Sequence, residues 1–181
     1  MGDAVLRSAI QNWGSAQRLA SENRLFAVLD AIDVPAIPQL AEQYGFERAL
    51  SLYVGLHEAD HWPVGPYLFR ADTALLDWVA AYMKMQPWGI FAVPQSPDMT
   101  LQDAFAQLRK FVLVNMGGQQ VYLRFYDPRV LPQYLKRAPA GKLREFFGPW
   151  RFLGASNANV DEVSWFYVQN GDAVAPQRKE S

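Results

Sequence analysis

The sequence predicts an α/β domain: a mixed β-sheet with flanking helices, a single domain with room for a small C-terminal lobe. Three observations predict it. Short apolar runs such as Arg24 to Ala31 (RLFAVLDA) alternate with segments of helical period, the pattern of strands buried on both faces and joined by helices. A Gly117-Gly118 pair between two β-prone runs adds an antiparallel hairpin to those crossovers. The 181 residues are 50% hydrophobic and 19% charged, which suits one folded core.

The elements follow in order. Residues 3–21 have Val5, Ala9, Trp13, Ala16 and Ala20 at helical spacing. After the Arg24 to Ala31 strand, Asp33 can cap a helix with Pro35 in its first turn, a stripe of Ile37, Leu40 and Tyr44, and Gly45 as its stop. Strands are expected over Leu50 to Gly55 and Tyr67 to Arg70, then a helix from Asp72 to Met85 with Leu75, Val79 and Tyr82 on one face. Trp88 to Val93 (WGIFAV) reads as another buried strand. Thr100 and Asp103 form a capping box for a helix carrying Leu101, Phe105, Leu108 and Val112. The hairpin joins Phe111 to Asn115 with Val121 to Tyr126. Pro128 and Pro132 are expected to break regular structure before a short helix near Lys142 to Phe147. Late strands over Trp150 to Leu153 and Val163 to Val168 precede a polar tail from Gly171, expected to fray.

Composition narrows the chemistry. With no cysteine, the chain has no disulfide, thiolate metal site or cysteine nucleophile, as suits a reducing cytosol. No run approaches the ~18 apolar residues of a membrane span. The opening MGDAVL lacks a basic and apolar leader, so the expectation is a soluble cytoplasmic protein without membrane contact. The net charge of −1 is unevenly laid out. Residues 1–108 hold 6 basic and 12 acidic side chains (net −6), 109–151 hold 9 and 2 (net +7), and the rest 2 and 4 (net −2). The basic block is either a contact face for something acidic or is dispersed by the fold.

His57-Glu58-Ala59-Asp60-His61 matches H-E-x-x-H, which on a helix presents two imidazoles to zinc with the Glu as general base. These are the sequence's two histidines, so a third ligand would have to be a carboxylate. The motif follows a strand-like run and is closed by Trp62-Pro63 and Gly65-Pro66, which leaves room for about one turn. A polar loop is the expectation, with no metal and no catalytic residue, and a zinc hydrolase is the alternative. Nucleophile-elbow, phosphate-loop and dinucleotide-binding motifs are absent from the sequence.

The densest signal is Val121 to Leu131, VYLRFYDPRVL, followed by Phe146-Phe147-Gly148-Pro149. As a strand it alternates Tyr122, Arg124 and Tyr126 on one face with Val121, Leu123 and Phe125 on the other. Asp127-Pro128 then turns the chain, with Asp127 able to accept backbone N–H groups and to pair with Arg129 or Arg124. The expected role of that pair is architectural first. Arg124, Tyr126, Arg129, Arg137, Arg144, Phe146, Phe147 and Trp150 are the candidate partner-binding residues, because aromatic and arginine side chains most often anchor interfaces. At least one of Phe146 and Phe147 is equally suited to the core. Lys136, Arg137, Lys142 and Arg144 should be exposed and steer an acidic segment.

These residues closely resemble the Tap-type adaptor-chaperone family of bacterial type VI secretion, long filed as a domain of unknown function. The resemblance rests on Arg124 to Leu131 (RFYDPRVL), Phe146 to Pro149 (FFGP), Trp88 to Phe91 (WGIF) and Leu25 to Ala31 (LFAVLDA), in the family's order and spacing. It covers residues 24–153, leaving 1–23 as an N-terminal helical arm and 154–181 as a C-terminal strand and tail. It implies a non-enzymatic adaptor without cofactor that binds a secreted toxin effector in the cytoplasm and helps load it on the VgrG spike. A nucleic-acid binder using Arg124, Arg129 and Arg151 is a third reading, disfavoured because the whole chain is slightly acidic.

Overall fold

The computed structural model describes residues 13–32, 34–56, 64–82, 88–156, 163–170 and 172–174. In chain order they form α1 (Trp13–Ser21), β1 (Phe26–Asp30), α2 (Ala36–Tyr44), β2 (Ala49–Ser51), β3 (Pro66–Arg70), α3 (Thr73–Tyr82), β4 (Gly89–Pro94) and α4 (Leu101–Arg109). There follow the hairpin β5 (Leu113–Met116) and β6 (Gln119–Tyr122), then α5 (Leu131–Arg137), α6 (Ala140–Phe147), β7 (Trp150–Ser156), β8 (Val163–Gln169) and β9 (Asp172–Val174).

Seven strands make one sheet in the order β2-β3-β1-β4-β7-β8-β9, and β5-β6 stand apart. The α/β class and the helix-flanked sheet are as expected. The pairings differ from a mixed sheet in being antiparallel at every registered pair. The reason is topological. β1 and β2 run the same way but with β3 between them, and β3 and β4 run the same way with β1 between them. Each helical crossover therefore skips one strand, the split β-α-β-β-α-β arrangement of ferredoxin-like domains. The ladder continues from β4 into β7 and on to β9, so the described residues beyond 153 extend the same sheet rather than form a separate lobe.

The sheet is buried on both faces, which is why its strands read as continuous apolar runs. Ala27, Leu29, Phe91 and Phe152 face α1, α2 and α3, where Trp13, Ile37 and Leu75 complete the core. Phe26, Val28, Ile90 and Leu153 face α4, α5 and α6, meeting Leu108, Leu135 and Phe146. On the first face, Trp88 packs on Trp13 and Phe91 with ring centroids 6.3 and 4.9 Å away, and Phe91 stacks on Trp165. The capping box is present: Asp103 N donates to Thr100 Oγ1, and Thr100 N to the Asp103 carboxylate, both at 3.1 Å.

Four expectations are corrected. The strand expected over Leu50 to Gly55 ends at Ser51, whose hydroxyl accepts from Tyr53 N at 3.2 Å and turns the chain. The strand through Tyr126 ends at Tyr122, because Asp127 N bonds to Arg124 O at 2.9 Å and folds 124–127 into a turn. Phe125 and Tyr126 consequently do not alternate; both are buried. Pro132 does not break structure but sits in the first turn of α5, where its missing N–H has no helical partner to lose. Residues 172–174 are not frayed but pair with β8. The Asp33 cap, the helix end near Met85, Gly171 and residues 1–12, 57–63 and 175–181 lie outside the described residues.

One close approach holds β4 against β1. A Cβ at Gly89 would lie 1.9 Å from the Val28 carbonyl oxygen. Gly89→Ala must push the two central strands apart, and overpacking of this kind costs about 1–3 kcal/mol. A thermal melt of Gly89→Ala is expected to fall by several degrees; an unchanged melt would show that the strands separate freely.

Candidate functional site

β1 ends at Asp30, whose side chain is mostly buried. Its Oδ1 accepts from Ile32 N at 3.2 Å, and its Oδ2 accepts from Arg124 Nη2 at 2.6 Å across 94 residues of sequence. The same guanidinium lies 3.6 Å from Asp127. Asp127 is 4% exposed and organises the turn. Its carboxylate takes both Nε (2.9 Å) and Nη2 (2.6 Å) of Arg129, together with the Arg129 backbone N–H at 2.9 Å. Its carbonyl accepts Val130 N and Leu131 N, which launches α5. Asp30 and Asp127 thus meet Arg124 and Arg129 in a charge-balanced network that clamps the start of α5 to the end of β1.

The electrostatics follow from this. Burial pushes the Asp127 carboxyl up, but hydrogen bonds and charge from Arg129, with Arg124 adding to them, hold it below its ordinary value. Burial lowers the Arg124 guanidinium, and the Asp30 hydrogen bond and charge outweigh that, so it is raised. Tyr126 is carried far above the usual phenol range, chiefly by burial and then by its 2.8 Å hydrogen bond with the Tyr53 hydroxyl. Tyr53 in turn packs against Tyr122 with centroids 5.2 Å apart.

The structure divides the candidate partner residues into two groups. Tyr126, Phe146, Phe147 and Trp150 are corrected from surface anchors to core: each is at most 4% exposed. Phe146 is the hub, packing edge-on against Phe111, Phe125, Tyr134 and Phe147. These rings go inward because, together with Leu101, Leu108, Leu131, Leu135 and Leu143, they fill the core on the second face of the sheet. Arg124 and Arg129 are committed to the network, although the Arg129 side chain is 70% exposed. Lys136, Arg137, Lys142 and Arg144 stand exposed on α5 and α6, with Lys142 also 2.9 Å from Glu145. Arg137 borders an apolar groove of about 400 Å³ walled by Leu123, Val130, Tyr134 and Ala138. Arg144 borders a second hollow, shared with Arg151 and Tyr167. Asp30, Tyr53 and Tyr167 were missed. Nothing in the sequence signals their partnerships, whereas Arg151 is the last cation of the basic block.

The His57, Glu58 and His61 letters lie outside the described residues. Among the described residues, no group of three or more His, Asp or Glu is arranged to hold a metal, and no helix is long and apolar enough to cross a membrane.

Residues 25–145, two-thirds of the chain, match the family model described as a domain of unknown function (DUF4123). The chain belongs to the DUF4123 family. No curated protein and no solved structure matches it. The DUF4123 segment runs from the residue before β1 nearly to the end of α6, so it contains the whole Asp30–Arg124–Asp127–Arg129 network. β7, β8 and β9 lie beyond it.

Asp127 gives a pH-dependent test. Because its folded pKa is depressed, its stabilisation is present above its unfolded value of ~3.9 and is lost as pH falls through the folded one. Asp127→Asn is expected to be about 2 kcal/mol less stable than wild type at pH 7. That is below the ~3–5 kcal/mol of a fully buried pair because Arg129 is largely exposed. Denaturation between pH 7 and 2.5 should show the gap shrinking below about pH 4. A gap independent of pH would mean that the charge of Asp127 contributes nothing.

Proposed function

We propose that this DUF4123 protein is a non-enzymatic adaptor of bacterial type VI secretion, which binds a toxin effector in the cytoplasm and helps deliver it to the VgrG spike. The match of the family model over residues 25–145 carries the reading, since the family is associated with such adaptors. The geometry supports it in two ways. The charges of the RFYDPRVL turn, the densest motif of the chain, are paired with one another and with Asp30, as in a scaffold. The cations of α5 and α6 face solvent beside an apolar groove, a combination that suits capture of an acidic protein segment.

On this reading Arg137 and Arg144 act mainly on association rate, and their effect weakens with salt. The chain, tagged and purified from its native cells, is expected to bring down a large toxin-bearing protein together with a spike protein. The same preparation should carry far less than one zinc per chain. Recovery of neither protein from cells that express both would contradict the adaptor reading. A stoichiometric zinc lost in His57→Ala together with a hydrolase activity would replace it with the zinc-enzyme alternative.

A further inference from the structure

The hairpin of β5 and β6 lies outside the seven-stranded sheet, and each residue from Leu113 to Tyr122 is exposed or half-buried, Met116 being 64% exposed. Gly117 and Gly118, with φ of +62° and +86°, form its two-residue turn, and Asn115 Oδ1 accepts from Gly118 N at 2.9 Å. Leu123 N donates to Val112 O at 2.9 Å, which sets the phase of the ladder. Val112, Val114 and Met116 therefore turn their backbone groups toward β6, and Leu113 and Asn115 turn theirs outward. The outward N–H and C=O of Leu113 and Asn115 have no hydrogen-bond partner among the described residues. On β6, Tyr122 is already engaged with Tyr53, so β5 holds the free margin.

Sheet margins are ordinarily protected, because an open row of N–H and C=O groups is a template for another strand. The main sheet follows that rule at both ends. At β2 the outward groups are engaged within the chain: Ala49 N donates to Gly45 O at 2.9 Å, and Ser51 O accepts from Val54 N at 3.2 Å. β9 is three residues long and opens on a charge, Asp172. β5 has neither device. Residues 111–123 (FVLVNMGGQQVYL) contain no charged residue and no proline, and they are rich in the β-branched and aromatic side chains that strands favour.

We infer that β5 pairs antiparallel with β5 of a second copy of the chain, joining two hairpins into one continuous sheet. A two-fold axis at Val114 sets Leu113 of each copy opposite Asn115 of the other, so the outward groups exchange about four hydrogen bonds. The choice of a second copy rests on charge. In such a symmetric contact each residue meets itself or its near neighbours, and any charge in the strand would face its like. The uncharged stretch meets that condition, and in this register the first flanking cation, Lys110, falls opposite Gly118. Val114, half-buried in one copy, meets Val114 of the other at a non-hydrogen-bonded position, where side chains approach most closely. The net charge of −1 adds little long-range repulsion between copies. A contact one strand wide is smaller than the ~1,200 Å² of a standard interface, so the dimer is reversible and concentration-dependent. This pairing goes beyond the adaptor reading and does not depend on it.

The test uses the full chain. Sedimentation equilibrium over a range of concentrations should show a reversible monomer–dimer association that persists in high salt. Val114→Lys and Val114→Glu should each weaken it at least about tenfold, because like charges then face one another across the axis. An equimolar mixture of the two variants should recover it, since opposite charges then meet at that position. Thermal melts show whether each variant is folded. The chain has no cysteine, so Val114→Cys supplies a second readout: mild oxidation should link two chains through it, whereas Gln120→Cys, on the other margin of the hairpin, should stay unlinked. Should a charged variant fail to fold, the Val114→Cys link decides alone. A chain that stays monomeric at every concentration overturns the inference, as does a dimer whose association is unchanged in folded Val114→Lys and Val114→Glu. A monomer that loses its co-purified effector in folded Val114→Lys gives the margin to the effector and overturns it too. The adaptor reading fails separately, by the absence of any co-purifying effector or spike, whatever the oligomeric state.

Discussion

Asp127 has to be matched by guanidinium groups, because a carboxylate this far from water is not tolerated alone. That requirement draws Arg129 back over the turn and Arg124 inward to where it also meets Asp30. The direction of α5 follows, since the Asp127 carbonyl accepts the first N–H groups of that helix. α6 and β7 follow α5. The exposed cations of both helices are therefore positioned by one buried charge cluster at the end of β1.

Local signals in the sequence were legible and distant ones were not. Thr100 and Asp103 could be read as a cap because both partners lie within one turn. Asp127 and Arg129 could be read as a pair for the same reason. The helix-flanked α/β class followed from apolar runs that strands need when both faces are covered. Strand order was not written in any run, and the antiparallel sheet arises from how the crossovers interleave. Asp30 with Arg124, and Tyr53 with Tyr126, are pairings across 94 and 73 residues that only the assembled fold reveals.

The candidate site shows where residue type alone misleads. Tyr126, Phe146, Phe147 and Trp150 have the chemistry of interface anchors, yet three helices must bury the second face of the sheet, and those rings do it. The lysines and arginines could not follow them inward. Burial thus sorts a mixed basic and aromatic block into an aromatic core and a cationic surface. Arg151 falls between the two, turned into a cleft by a bulge that periodicity does not encode.

On the proposed adaptor reading the working surface is the α5–α6 side, with the Asp127 turn as support behind it. Hydrogen–deuterium exchange on the chain with and without its co-purified effector tests that placement most directly. Protection should appear in residues 131–147, with little change at Asp127, Arg129 and Val130, whose amides are already hydrogen-bonded. Protection confined to α1, α2 and α3, with the α5–α6 segment exchanging as in the free protein, would contradict it.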